Sequence, residues 1–185
     1  NLDRLAGSEF TPYAVAAAVH AAPPPRGLLY VGASNPIRDL DVMARPTGVG
    51  ERRLTLANRG LAGIDGVVSS AIGAALARPS ERAICYLGDV SFLHDMGALV
   101  LGPDEQRPDL TVVVANDDGG SIFATLEQGA PDFAGPFDKL FGTPHGVDLA
   151  SLCAATRTPH WRVDSAAELA HALDNPNGGI EVVEA

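Results

Sequence analysis

The chain has 185 residues, of which 46% are hydrophobic, with a formal net charge of −10 and two isolated cysteines. That length suits one α/β domain, and the acidic balance argues against nucleic acid as the main partner, which calls for a basic patch. No apolar run is long enough to span a bilayer and none reads as a signal peptide, so the expected location is the cytoplasm. Cys85 and Cys153 belong to no Cys-X-X-Cys pair and read as reduced, buried, small apolar residues.

Thr11-Pro12 opens a helix, with Thr as N-cap and Pro in the first turn, that runs to about Ala22. Leu28 to Val31 reads as a strand ending in the stretch Gly32 to Asp39, in which Arg38 sits after a Pro turn. Pro46 to Arg52 reads as a surface loop, Arg53 to Ala57 as a second strand, and Asp65 to Ala77 as a helix rich in small residues. Then come a strand over Ile84 to Gly88, a helix from Phe92 to Gly102, and a strand over Thr111 to Ala115. An irregular Gly/Pro-rich stretch, Glu127 to Gly146, follows. A helix near Asp148 to Ala155, a strand near Trp161 to Val163, a helix from Ala166 to Leu173 and a strand from Ile180 to Val183 complete the chain. Alternation of this kind predicts an α/β fold: a doubly wound, mostly parallel six-stranded sheet with helices on both faces.

Chemistry concentrates between Ala83 and Phe123. Two apolar runs end abruptly in polar residues, at Gly88-Asp89-Val90-Ser91 and at Asn116-Asp117-Asp118-Gly119-Gly120. A helical crossover makes such strands parallel and brings both tips to one edge of the sheet. Asp89, Asn116 and Asp117 supply hard oxygen ligands, and Gly119 and Gly120 permit close backbone approach. Mg²⁺ commonly binds one or two carboxylates together with phosphate oxygens. The predicted occupant is therefore a magnesium diphosphate at the carboxyl edge. Gly, Asp and Asn are also ordinary turn residues.

Three further stretches face the same edge. Ser34-Asn35-Pro36-Ile37-Arg38 carries a guanidinium whose planar fork suits a carboxylate. Asn58-Arg59-Gly60-Leu61-Ala62-Gly63-Ile64-Asp65-Gly66 follows a strand and opens a helix, where an anion is favoured. Its spacing does not match a dinucleotide fingerprint. Arg38 and Arg59 together suggest a substrate bearing carboxylates. Ile122, Phe123 and Leu126 lie at helical spacing; such a trio is core or an apolar pocket wall.

Taken together, Ser-X-Pro-X-Arg-Asp, Asn-Arg-Gly-X-X-Gly-Ile-Asp-Gly, Gly-Asp-X-Ser-X-X-X-Asp, Asp-Gly-Gly-X-Ile-Phe and Thr-Pro-His-Gly stand in one order over Leu29 to Asp148. The set resembles the C-terminal cofactor domain of the 2-succinyl-5-enolpyruvyl-6-hydroxy-3-cyclohexene-1-carboxylate synthases of menaquinone biosynthesis. The resemblance implies thiamine diphosphate with Mg²⁺, or Mn²⁺ in its place. The metal would take Asp89, Asp117 and the backbone carbonyl of Gly119, with Asn116 as the alternative to Asp117. Two positions depart from the family pattern: Val90 stands for Gly and Asp117 for Asn.

The resemblance further implies cofactor contacts from Gly63, Ile64, Gly88, Val90, Ser91, Gly120 and Ile122, with Ile64 holding the cofactor in its bent form. Ser34, Arg38, Arg59, Ile122, Phe123 and Leu126 would face substrate. The reaction implied is decarboxylation of 2-oxoglutarate and addition of the succinyl carbanion equivalent to isochorismate. The activating glutamate would come from a pyrimidine-binding domain of a partner subunit, so no catalytic residue is expected in this chain. Residues 1–185 would be a single diphosphate- and metal-binding domain, the C-terminal part of a longer protein working as a homodimer or homotetramer. Two other readings stay open: a carboligase of the acetolactate-synthase kind, and a non-catalytic module that holds a nucleotide or a partner on the same fold.

Overall fold

The computed structural model describes residues 9–58, 60–61, 63–79 and 81–185. Arg59, for which substrate contact is expected, lies outside the described residues. Six parallel strands form one sheet: β1 (Leu28–Val31), β2 (Leu54–Ala57), β3 (Ala83–Gly88), β4 (Leu110–Ala115), β5 (His160–Arg162) and β6 (Ile180–Glu184). Their spatial order is β2-β1-β3-β4-β6-β5. The parallel α/β architecture expected from the sequence is therefore present, and the sheet is parallel throughout.

Buried strands alternate their side chains between two cores, as a pleat with period two requires. On one face Leu28, Tyr30, Cys85, Leu87, Val112, Val114 and Val182 pack against α3 (Val67–Leu76), α4 (Asp89–His94) and α6 (Leu149–Ala155). On the other, Leu29, Val31, Ile84, Tyr86, Val113 and Val183 pack against α1 (Pro12–Ala21), α2 (Asn35–Met43) and α7 (Ala166–Asp174). Both cysteines are buried and free. Among the described residues, no helix is long and apolar enough to cross a membrane.

Helix starts follow their caps. Thr11 Oγ1 accepts from Ala14 N at 3.2 Å, and Asp148 and Ser165 cap α6 and α7 in the same way. Two elements differ from expectation. The segment after β1 is α2, not a turn: Pro36 occupies its first turn, where a missing N–H costs nothing, and Pro36, Leu40 and Met43 form its buried stripe. The segment after β3 becomes helical at once, at Asp89, and α4 gives way to a 3-10 turn over Met96–Leu99. Leu99 is buried there, whereas Val100 is 72% exposed.

The connections set the position of the site. From β1 the chain turns to the face carrying α2, and from β3 to the face carrying α4. The ends of these adjacent strands therefore diverge and open a crevice at the carboxyl edge, the place where ligands bind in open α/β sheets. Beyond β4 the chain makes a strap of short turns, over Ser121–Thr125, Glu127–Gly129 and Pro131–Phe133. It continues through α5 (Ala134–Phe137) and a π-helical turn at Asp138–Gly142.

Candidate cofactor site at the carboxyl edge

Register puts the two polar tips side by side, because Gly88 pairs with Ala115 at the last rung of β3 and β4. A cavity of about 160 Å³ opens there. Ser34, Asn35 and Pro36 line it from the start of α2, Asp89, Val90 and Ser91 from the start of α4, and Asp117 with Gly119 to Phe123 from beyond β4. Ile64, Phe141 and Thr143 close its sides. Ser34, Ile64, Asp89, Val90, Ser91, Asp117, Gly119, Gly120, Ile122 and Phe123 are thus brought together, as the sequence motifs imply. Gly63, Gly88, Asn116, Arg38 and Leu126 are not among its lining residues. Leu126 is 46% exposed, and Arg38 is an exposed side chain whose Nη1 donates to the Ser34 carbonyl at 2.8 Å.

Asp89 is 2% exposed, and both of its carboxylate oxygens are hydrogen-bonded. Its Oδ1 accepts from Val90 N at 2.8 Å, and its Oδ2 accepts from Gly119 N at 2.7 Å and lies 2.8 Å from His145 Nε2. The carboxylate therefore ties the first polar tip to the second and to the segment after the strap.

Asn116 and Asp117 point to different places. Asn116 Nδ2 donates to Glu184 Oε1 at 2.9 Å, while its Oδ1 accepts from Asp118 N at 3.1 Å. Glu184 in turn meets His160 Nε2 at 2.9 Å. The Asn116 side chain is spent on the turn and on β6, and Asp117 is left facing the cavity. Asp117 accepts from Ser121 Oγ, which itself accepts from Asn35 Nδ2 at 2.9 Å. Asp117 is an exposed residue, and its carboxyl is nonetheless pushed above the usual range, first by partial loss of water around it; the Ser121 bond opposes that rise, and Asp89 and Asp118 add to it. Asp39 is raised as well, by burial and then by Asp117. Crowded acids of this kind are expected where a cation is to be received.

The two glycines do something the sequence did not suggest. Gly119 has φ 138°, which side chains rarely adopt, and a Cβ there would strike the Gly142 carbonyl. A Cβ at Gly120 would strike the Phe141 carbonyl, and Gly120 N donates to Gly142 O at 2.7 Å. The close approach that needs glycine is made by the returning strap, and both amide protons are already bonded within the protein. Phe123 and Phe141 meet at 5.6 Å across the strap and form the apolar wall. Ser34 has φ 73° and ψ −141°, a conformation that costs an L-residue on the order of 1–3 kcal/mol. It stands at the cavity rim, beneath the Arg38 bond.

His145, Asp118, Asn35 and Ser121 are functional candidates that sequence reasoning did not assign. The only signal for His145 is its place in Thr143-Pro144-His145-Gly146, a motif without an evident partner in the sequence.

Comparison with known proteins decides the family. The model for the thiamine pyrophosphate enzyme, C-terminal TPP binding domain, matches residues 42–179. The chain belongs to this family.

The TPP-binding domain is 68% identical over 187 residues to a protein of Nocardioides sp. named 2-succinyl-5-enolpyruvyl-6-hydroxy-3-cyclohexene-1-carboxylate synthase. That match covers all of this chain and 35% of the relative. Proteins of the same name from Nocardia farcinica and Rhodococcus erythropolis are 57% and 53% identical. They cover 84% and 92% of this chain, and 28% and 31% of their own lengths are matched. The chain spans about a third of the length of the curated relatives it matches.

The donor set fits a hard cation shared with a phosphate. Among the described residues, no three His, Cys, Asp or Glu side chains group to hold a metal by themselves. Asp89, Asp117 and the Gly119 backbone instead offer only oxygens on one cavity, the pattern of an ion that completes its shell with phosphate and water.

Proposed function

We propose that the full-length protein decarboxylates 2-oxoglutarate and adds the resulting succinyl carbanion equivalent to isochorismate, with thiamine diphosphate and Mg²⁺ or Mn²⁺ as cofactors. The observation that carries this reading is the meeting of Asp89 and Asp117 with Ser34, Ile64, Ile122 and Phe123 around one cavity, in a TPP-binding domain whose relatives bear the synthase name. When bound, thiamine diphosphate supplies the electron sink for loss of CO₂.

The chain's own residues bind and orient. Asp89, Asp117 and the Gly119 carbonyl hold the cation, and through it the diphosphate. Val90 and Ser91 border the same pocket, and Ile64, Ile122 and Phe123 supply apolar walls that keep water from the reacting end. Arg38 and Arg59 meet substrate carboxylates; Arg38 is bonded to the carbonyl of Ser34, which lines the cavity. The acidic group that activates the aminopyrimidine comes from another domain, contributed by a partner subunit of a homodimer or homotetramer. Residues 1–185 act as the single diphosphate-holding domain, and the work is done in the cytoplasm.

The test uses full-length protein with thiamine diphosphate and Mg²⁺. 2-Oxoglutarate-dependent CO₂ release with matching consumption of isochorismate is the expected result. Turnover of pyruvate instead would make the protein a carboligase of another specificity, and cofactor-independent binding of NAD or ATP would make it a binding module.

A further inference from the structure

We propose that His145 is a positioning residue for Asp89: its imidazole fixes the carboxylate on the Oδ2 side so that Oδ1 is presented to the cation. The inference rests on the metal–diphosphate reading of the cavity.

Hydrogen bonds define the orientation of the ring. Val147 N donates to His145 Nδ1 at 3.0 Å, and Asp118 Oδ1 lies 3.4 Å from the same nitrogen, so Nε2 is the ring nitrogen turned to Asp89. Nε2 then donates to Asp89 Oδ2 at 2.8 Å. Oδ2 is filled by this bond and by Gly119 N, whereas Oδ1 holds a single bond, from its own neighbour Val90 N. The oxygen with spare capacity is therefore Oδ1, on a residue that lines the cavity.

The ring is itself held. Asp118 Oδ1 accepts from His145 N at 3.1 Å and from Gly146 N at 2.7 Å, so the backbone on both sides of the imidazole is pinned to the second polar tip. The His145 side chain is 15% exposed, which leaves it little room to turn away. Asp89, across 56 residues of chain, thus receives its orientation from a side chain that follows the strap. Partners that orient a ligand from behind are typically worth roughly 10- to 100-fold in metal affinity.

The experiment titrates Mn²⁺ into full-length protein with thiamine diphosphate, counting free Mn²⁺ by its paramagnetic resonance signal, beside the melting temperature without metal. His145→Ala is expected to weaken Mn²⁺ binding by roughly 10- to 100-fold. His145→Gln, whose amide N–H reaches the place of Nε2, is expected to restore most of that affinity. Unchanged Mn²⁺ affinity in His145→Ala overturns the proposal while leaving the metal site in place. Failure of His145→Ala to fold, or a loss of affinity that His145→Gln does not recover, makes the residue structural and overturns it as well. If the parent protein itself binds no Mn²⁺, the metal reading falls and this inference with it.

Discussion

Asn116 Nδ2 donates to Glu184 Oε1 at 2.9 Å, which ties this side chain to the last strand while its neighbour Asp117 lines the cavity. Glu184 is 8% exposed at the end of β6 and also meets His160, so the amide is part of a buried polar chain. Asp117 is the residue left to face the pocket. Asp117→Ala is therefore expected to weaken Mg²⁺ binding more than Asn116→Ala does. Asn116→Ala should mainly cost stability, about 1–3 kcal/mol, because it leaves a buried acceptor without its partner. Metal titration and chemical denaturation of both variants check this; the reverse order of metal affinities would move the ligand to Asn116.

Asp89→Ala is expected to abolish Mg²⁺-dependent cofactor binding and also to lower stability. From sequence, Asp89 is a strand-end residue with no packing role, and its loss leaves the fold largely intact. The structure changes that expectation. Removing the carboxylate strands the Gly119 N–H and the His145 Nε2–H in a buried place, at about 1–3 kcal/mol for each group left unsatisfied. Thermal melting of the metal-free variant is the check. A melting temperature equal to the parent's would mean that these bonds contribute nothing.

Most of the sheet was legible in the sequence because its strands are buried on both faces. Apolar runs such as Ala83–Leu87 and Leu110–Val114 end where a polar tip begins, and the burial follows that boundary. Helix α2 was not legible: Pro36, Arg38 and Asp39 read as a polar turn and hide the stripe of Pro36, Leu40 and Met43. The cavity lining was legible where one short motif carries it, at Asp89 and at Asp117, Gly119 and Gly120. It was not legible where distant segments meet. His145 meets Asp89 only when the strap returns it there, and Asn116 is turned aside by a glutamate in the last strand. No local pattern encodes either pairing.

Arg38→Ala and Arg59→Ala are each expected to lower kcat/KM. A charge-assisted bond to a carboxylate is worth on the order of 1.5–3 kcal/mol, so the loss should be roughly 10- to 150-fold. Arg38→Lys should also suffer, since Lys lacks the fork. Cofactor affinity should hold in all three. Steady-state kinetics with both substrates, beside cofactor titration, read the difference. Full turnover in the variants would remove these residues from the site, and lost cofactor affinity would move them to the diphosphate.

The Asp148 cap sets a pH dependence. Its carboxyl is held below the ordinary 3.8, first by the Ser151 hydroxyl and then by backbone N–H groups, with burial opposing. The folded protein therefore gives up this proton at lower pH than the unfolded chain. The cap's stabilisation is complete above the ordinary value and is lost as pH falls through the lowered one. Asp148→Ala should lower the melting temperature at neutral pH, and the gap from the parent should close in strong acid. A gap that is constant with pH would show that the ionised carboxylate is not what caps α6.

Gly119→Ala tests whether the strap and the cavity are one unit. Alanine must adopt φ 138° and displace the Gly142 carbonyl, so a penalty on the order of 1–3 kcal/mol or more is expected, together with weaker cofactor binding. A variant that melts and binds like the parent would separate the glycine from both roles.

Asp89 and Asp117 are expected to hold a diphosphate through a cation at the carboxyl edge. Calorimetric titration of thiamine diphosphate into full-length protein, with and without Mg²⁺, tests it most directly. Tight binding that requires the metal and is competed by inorganic pyrophosphate is the expected result. Equal affinity with and without Mg²⁺, or no binding in either condition, would contradict it.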